Sequence, residues 1–243
     1  MVNINELIEA GLKTLPAKPL DNSAPPQKKR YSEQVSQVIA LAIAEELRAR
    51  GLDGARPAGE GVLGGSGAER RMAGGLGSKK VDVTWATEES GLLMAISVKT
   101  INFKDGKTKN YQKNLTNRRS DMLMEAVTLH RRFPYSVLAA FFFLDSGAEK
   151  DGTNKRRSTF LNAHARLRLF TDRSDPAGRE EQFERFYLIL LDASPDKVSA
   201  RPFKVGDPEN EVTLSSMLDE ILELVAERNP DFYEYDNGKL KKL

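Results

Sequence analysis

The chain has 243 residues, of which 40% are hydrophobic and 30% charged, a composition typical of a globular protein with one large or two small domains. It contains no cysteine, which excludes disulfide scaffolds, thiolate metal sites and cysteine nucleophiles. No apolar stretch approaches the length of a membrane span and the first residues lack the layout of a secretion signal, so we expect a cytoplasmic protein with no membrane partner.

Positive and negative charges are segregated along the chain, although the formal net charge is only +2. Between Lys99 and Arg132 there are nine Lys or Arg residues and three acids, whereas ten acids and one arginine lie between Asp207 and Asp236. This pattern favours a surface that faces a polyanion and a second surface turned away from it. The alternative is that both blocks are ordinary solvated surfaces.

The N-terminal part is predicted to contain two helices. A short helix covers residues 3–14, and a Pro-rich, basic stretch follows it, so that residues 1–30 form an arm and linker. A long helix from Tyr31 to Arg50 places Glu46 in the middle of its apolar face, where a carboxylate is unexpected. The glycine-rich residues 51–78 are predicted to be a flexible approach to the first strand.

The rest of the chain alternates strands and helices, with Val81–Trp85 and Leu92–Thr100 as strands joined by the polar turn TEESG. The continuous apolar run Tyr135–Leu144 is typical of a central strand that is covered on both faces. Further helices are predicted over Leu115–Arg131, Thr159–Leu169 and Leu214–Arg228, and further strands over 186–192 and 198–205. This order predicts an α/β sandwich around a central mixed sheet flanked by helices.

Polar side chains lie inside the first two strands. Because side chains alternate across a strand, one face of the second strand carries Leu93, Ala95, Ser97 and Lys99. On the first strand Val81, Val83 and Trp85 face one way and Asp82 the other. If the strands pair through the turn, Asp82 lies at the same end of the sheet as Ser97 and Lys99.

The pairs Val81-Asp82 and Ser97-Val98-Lys99 resemble the two half-motifs of the PD-(D/E)XK nuclease superfamily, and the element order extends the resemblance loosely over residues 31–145. Valine stands where the motif has proline, and Ser97 stands where an acid should help to hold a metal. The resemblance implies a restriction endonuclease-like fold for residues 31–243, with a C-terminal helical extension. It also implies a Mg²⁺ cofactor, which Mn²⁺ could replace, and no organic cofactor.

The resemblance also implies roles for single residues. Asp82 would be the principal metal ligand, and Lys99 would orient or help to deprotonate the attacking water. Since one carboxylate alone makes a weak magnesium site, a second acid must come from elsewhere. Many family members place a glutamate on the first helix, which points to Glu46. A branch with Ser-x-Lys takes the acid from the following helix, which points to Glu125, with Asp121 one turn earlier. Glu69 is the third candidate, and we rank the three in that order.

Two basic segments are predicted to contact nucleic acid. Helix N-termini and arginines suit phosphate groups, which favours Asn117, Arg118 and Arg119. The preceding loop could track a nucleic-acid backbone through Lys104, Lys107, Lys109 and Lys113, with Tyr111 available to stack on a base. The alternative for both segments is a solvated surface with local salt bridges.

Together these features predict a metal-dependent endonuclease that hydrolyses double-stranded DNA, with a role in restriction or phage defence. The resemblance further implies a homodimer, since such enzymes commonly cut both strands. One alternative is a DNA-binding module whose nuclease site has decayed, which Ser97 could signal. Another is a structural partner in a larger assembly, with contacts provided by the acidic helix Leu214–Arg228 and the Pro-rich arm.

Overall fold

A computed structural model describes residues 3–58, 70–194 and 196–243. Its centre is a five-stranded mixed sheet in the order β3-β4-β5-β6-β7. The strands of this sheet are β3 (Val83–Thr87), β4 (Gly91–Ile101), β5 (Val137–Asp145), β6 (Arg185–Ser194) and β7 (Lys197–Lys204). The helices are α1 (Ile4–Lys13), α2 (Pro25–Ala49), α3 (Leu115–His130), α4 (Thr159–Leu167) and α5 (Leu214–Arg228). Two hairpins, β1 (Arg70–Gly74) with β2 (Gly77–Val81) and β8 (Tyr233–Asp236) with β9 (Lys239–Lys242), complete the described elements.

The three inner strands are parallel and the two outer strands are antiparallel to their neighbours. Strand β5 is buried on both faces, as its unbroken apolar run predicts. Its residues alternate between two hydrophobic cores, with Phe141 and Phe143 in one and Phe142 and Leu144 in the other. The predicted α/β fold with a mixed central sheet is therefore confirmed at this level.

The two cores lie on opposite faces of the sheet. One is formed with α1, α2, α5 and the β8–β9 hairpin, and the other with α3, α4 and residues of the β1–β2 hairpin. Helix α5 has the predicted bounds and buries its apolar face in the first core. The predicted acidic tail forms the β8–β9 hairpin, in which lysines of β9 pair with acids such as Asp236.

The N-terminal segment differs from the predicted arm in its helix bounds. Helix α1 begins after a capping box formed by Asn3 and Glu6, and it buries Ile4, Ile8 and Leu12 in the first core. Helix α2 starts at Pro25 rather than at Tyr31, because proline is well suited to the first positions of a helix. Residues 25–30 are therefore helical, and α1 packs on α2.

The described part of the glycine-rich segment contains a β-hairpin, β1–β2, where a flexible approach was predicted. The predicted strand Val81–Trp85 is interrupted at Asp82, which lies in a bend between β2 and β3. As a result Val81 belongs to the core of α3 while Val83 and Trp85 belong to the core of α2, which corrects their predicted common face.

A second correction concerns the start of β4. The register between β3 and β4 shifts at Trp85 and Ala86. As a result Leu93 lies in the same core as Met94, whereas the predicted alternation placed it on the face of Ala95. From Met94 onward the predicted alternation holds, and the shift leaves Ser97 and Lys99 on the α3 face. Among the described helices, none is both long and apolar enough to cross a membrane.

Candidate active site

The β3–β4 pairing brings Asp82 next to the Ser97-Val98-Lys99 segment. Val83 pairs with Ile96, so the bend at Asp82 lies beside the following residues of β4. The Val98 amide donates a hydrogen bond of 2.6 Å to Asp82 Oδ2, and the Lys99 ammonium donates one of 3.1 Å to the same oxygen. The predicted proximity of Asp82 and Lys99 is thereby confirmed.

Helix α3 contributes the second acid of this cluster. Its apolar residues Leu115, Met122, Ala126 and Leu129 pack into the core beneath the sheet, and Glu125 lies beside that stripe. The Glu125 side chain is 6% exposed, and its carboxylate lies 3.6 Å from Lys99 Nζ. Lys99 therefore contacts two carboxylates, one at the start of β3 and one on α3.

The charges of this cluster shift one another's pKa values. Burial raises the pKa of Glu125 because it disfavours the carboxylate, and the Lys99 ammonium offsets this only in part. Burial alone would lower the pKa of Lys99, but Glu125 and then Asp82 outweigh it, so the pKa of Lys99 is raised. At neutral pH the lysine is a positive charge and a hydrogen-bond donor rather than a proton acceptor.

Ser97 occupies the position between these groups. Its side chain is 1% exposed and lies beside the Glu125 carboxyl, where it favours the ionised form. The geometry falls short of a hydrogen bond, however, and the Ser97 hydroxyl has no partner among the described residues. A buried hydroxyl without a partner is costly, which points to a group that the protein itself does not supply.

Glu46, the first-ranked second acid, lies in a different cluster. Its Oε1 accepts a hydrogen bond of 2.8 Å from Arg50 Nε, and Arg50 also contacts Asp219 and Ser215 on α5. Glu46 does not line the cleft that contains Asp82, Lys99 and Glu125. A helical wheel shows that Glu46 faces the interior, but the partner that it meets there is an arginine. Glu69, the third candidate, lies outside the described residues.

The cluster has a donor set that suits Mg²⁺, which prefers hard oxygen ligands and is often held by one or two carboxylates together with several waters. Asp82 and Glu125 supply the carboxylates, and Ser97 supplies a hydroxyl oxygen that has no hydrogen-bond partner among the described residues. No group of three or more His, Cys, Asp or Glu residues converges within the described ranges. The fit therefore depends on two acids, a hydroxyl and water.

A cleft of about 1200 Å³ opens above this cluster. Its described walls carry eight basic and five acidic residues. Two of the basic residues are paired at its rim, Lys113 with Asp105 at 2.7 Å and Lys29 with Glu33 at 3.8 Å. The basic residues are Lys28, Lys29, Lys79, Lys80, Lys99, Lys104, Lys113 and Arg118, and the acids are Glu33, Asp82, Asp105, Asp121 and Glu125.

Only some of the predicted nucleic-acid contacts line this cleft. Lys104, Lys113 and Arg118 do so, whereas Lys107, Lys109, Asn117 and Arg119 do not, and the Arg119 guanidinium lies instead over the Phe170 ring. Tyr111 belongs to the cleft wall, but it is 4% exposed and its hydroxyl donates to Asp145. Its ring therefore offers little surface on which a base could stack. A smaller pocket of about 400 Å³ at the β8–β9 hairpin has none of the predicted site residues among its described lining residues.

Four cleft lysines were not predicted from the sequence. Lys28 and Lys29 lie in the first turns of α2, and Lys79 and Lys80 lie on β2 directly before the Val81-Asp82 pair. The signal for the second pair was the Lys-Lys dipeptide beside the first half-motif. A flexible segment before these lysines, as the glycine-rich sequence predicts, would not hold them at the cleft, whereas the β1–β2 hairpin does.

Comparison with known proteins gives no match: no family model matches the chain, and no curated protein and no solved structure is significantly similar to it. The resemblance to the nuclease superfamily therefore depends on the residues and geometry of this chain alone.

Proposed function

We propose that the protein is a metal-dependent endonuclease that hydrolyses phosphodiester bonds of double-stranded DNA. The observation that carries the proposal is the position of Asp82, Lys99 and Glu125 in a predominantly basic cleft of about 1200 Å³. The carboxylates suit a divalent cation, and the surrounding lysines suit a polyanionic substrate. The α/β sandwich with a mixed sheet is compatible with the restriction endonuclease-like fold that the sequence motifs imply.

In this proposal Asp82 and Glu125 hold Mg²⁺ or Mn²⁺, with the Ser97 hydroxyl beside them. The bound cation would stabilise negative charge that develops on the phosphoryl oxygens and would lower the pKa of a bound water. Lys99 keeps its proton, because its pKa is raised, and it orients the attacking water and stabilises developing charge. The sequence allows Lys99 either to orient or to help deprotonate the attacking water, and the proposal keeps only the first of these roles.

One observation favours a second candidate function, a DNA-binding module without catalysis. Ser97 stands where the resembled motif has an acid, and Lys99 is already paired with both carboxylates of the cluster. Such a protein would keep the basic cleft and bind DNA without cutting it. A homodimer and a role in restriction or phage defence stay predictions from the resemblance alone.

Cleavage of supercoiled plasmid and phage DNA with Mg²⁺ or Mn²⁺ tests the proposal. Wild type is expected to cut, and Asp82→Ala and Lys99→Ala are expected to lose cutting while they keep DNA binding. Lys239→Ala, which removes an exposed charge on β9 outside the cleft, serves as the matched control. Binding without cutting by wild type on all these substrates would favour the second candidate.

A further inference from the structure

Two positive side chains flank the acidic cluster from different elements. Lys79 lies on β2, and Arg118 lies in the second turn of α3, on the same helix face as Glu125 two turns later. Both line the cleft. The charge of Lys79 acts on Glu125 and that of Arg118 acts on Lys99, so both lie close to the proposed reacting centre.

Neither residue forms a salt bridge with a described residue, in contrast to Lys29, Lys99 and Lys113. Lys29 and Lys113 are paired with acids, and Lys104 lies over the Tyr111 ring. Lys79 and Arg118 are only partly exposed, so their charges are not fully solvated either. Two half-buried positive side chains that line one cleft from different elements favour a shared anionic ligand.

The β1–β2 hairpin holds Lys79 in a defined position. Gly75 N donates a hydrogen bond of 2.8 Å to Thr128 O on α3, and a Cβ at Gly74 would lie 2.5 Å from that oxygen. The hairpin therefore docks closely on the helix that carries Arg118 and Glu125. Lys79 pairs with Met72 across the hairpin, and Met72 packs against the α3 core, so Lys79 shares the inward face.

We infer that Lys79 and Arg118 form a clamp for one backbone phosphate of DNA, beside the cluster of Asp82, Lys99 and Glu125. The inference rests on the proposed nuclease function and adds a substrate contact to it. Lysine supplies a compact charge from the hairpin, and the arginine fork can donate two parallel hydrogen bonds to phosphate oxygens. Such contacts would fix the register of the backbone over the cluster without reading its sequence.

The experiment measures binding rather than cutting. Fluorescence anisotropy with a fluorescein-labelled duplex of about 30 base pairs, in EDTA, gives Kd between about 50 and 200 mM KCl. Lys79→Ala and Arg118→Ala are each expected to weaken binding about five- to tenfold and to reduce the salt slope by about one. Lys239→Ala, with the same change in net charge, is expected to leave both unchanged. Lys79→Arg is expected to restore most of the affinity.

Salt slopes of Lys79→Ala and Arg118→Ala that equal that of Lys239→Ala would overturn the clamp, as would a wild type that does not bind the duplex. Thermal denaturation of each variant shows whether a loss of binding reflects a loss of folding; if Lys79→Ala or Arg118→Ala unfolds, Lys79→Gln and Arg118→Gln replace it under the same criteria. The clamp and the nuclease function can fail separately. If the protein binds DNA through both residues but never cuts it, the nuclease function is overturned and the clamp stands. If the protein cuts DNA but the salt slopes of both variants equal that of wild type, the clamp alone is overturned.

Discussion

The Lys99 ammonium lies 3.6 Å from the Glu125 carboxylate, so a helix rather than the strand places a second acid beside this lysine. On the strand itself, Ser97 occupies the position where an acid would have completed the motif. Helix α3 can fill that gap because it packs against β4 and against the β1–β2 hairpin. In the proposed nuclease, Glu125 would therefore take the place of the strand acid beside the lysine.

Exchanging each candidate acid for its amide separates the two models of the second ligand. Glu125→Gln is expected to reduce the rate of plasmid cleavage by about a hundredfold or more, because it removes a carboxylate that would hold the metal. Glu46→Gln is expected to leave the cleavage rate near that of wild type, because Glu46 contacts Arg50 and not the cleft. Initial rates at several Mg²⁺ concentrations provide the measurement.

The two models also differ in what they predict for the stability of Glu46→Gln, which urea unfolding measures. Glu46→Gln is expected to destabilise the fold by about 1–3 kcal/mol, since it leaves Arg50 with a weaker partner at a buried site. If Glu46→Gln instead abolished cleavage while folding normally, and Glu125→Gln did not, the assignment of Glu125 would be wrong.

Removing the Ser97 hydroxyl tests whether its oxygen serves the metal. Ser97→Ala is expected to raise the free energy of unfolding in EDTA by about 1 kcal/mol, because it removes a buried hydroxyl that has no hydrogen-bond partner among the described residues. It is expected to raise the Mg²⁺ concentration needed for half-maximal cleavage. An unchanged Mg²⁺ dependence would show that the hydroxyl takes no part, and Ser199→Ala on β7 controls for the loss of a hydroxyl elsewhere.

The buried Glu125 carboxyl predicts a pH-dependent difference between wild type and Glu125→Gln. Because its folded pKa is raised, wild type binds this proton more tightly when folded and loses stability as the pH rises from the unfolded pKa of 4.5 through the folded pKa. Glutamine does not titrate. Between these two pKa values, the free energy of unfolding of Glu125→Gln should therefore increase relative to that of wild type by at most about 1.4 kcal/mol per pH unit. Urea unfolding across this pH range provides the measurement, and a gain that shrinks with pH would contradict the direction of the shift.

The layers of the fold were predictable because burial leaves a direct mark on the sequence. Strand β5 is an unbroken apolar run, and the apolar period of α5 gives its bounds as the structure has them. The start of α2 was missed because two adjacent prolines signal both a linker and the first turn of a helix. Composition alone does not distinguish prolines in a linker from prolines in the first turn of a helix.

The site was predictable only where local geometry determined it. The β3–β4 hairpin brings Asp82 beside Lys99, although Asp82 lies in a bend before β3 rather than within the predicted strand. The ranking of Glu46 above Glu125 had no such basis. A helical wheel shows which face of α2 is buried, but it does not show which residue contacts Glu46 there. Because a long loop precedes α3, the sequence does not determine where Glu125 lies relative to Lys99.

A second buried carboxylate, Glu184, predicts acid sensitivity that is unrelated to the cleft. It is fully buried and accepts hydrogen bonds from Arg173 at 2.7 Å, Arg228 at 2.8 Å and the Leu138 amide at 2.7 Å, with His130 Nε2 at 3.2 Å. Burial would raise its pKa, but His130, Arg228 and the amide outweigh burial, so the pKa of Glu184 is lowered. The stability that it contributes is present above the unfolded pKa of 4.5 and is lost as the pH falls through the folded pKa.

Glu184→Gln is expected to cost about 3–5 kcal/mol of unfolding free energy at neutral pH, because it leaves two arginines buried without a counter-charge. Glu227→Gln on α5 makes the same change in charge at an exposed position and is expected to cost little. Urea unfolding at neutral pH and at successively lower pH should show the cost of Glu184→Gln shrinking below pH 4.5, as wild type takes up the same proton. A cost equal to that of Glu227→Gln, or one that does not change with pH, would show that this ion-pair cluster does not stabilise the fold.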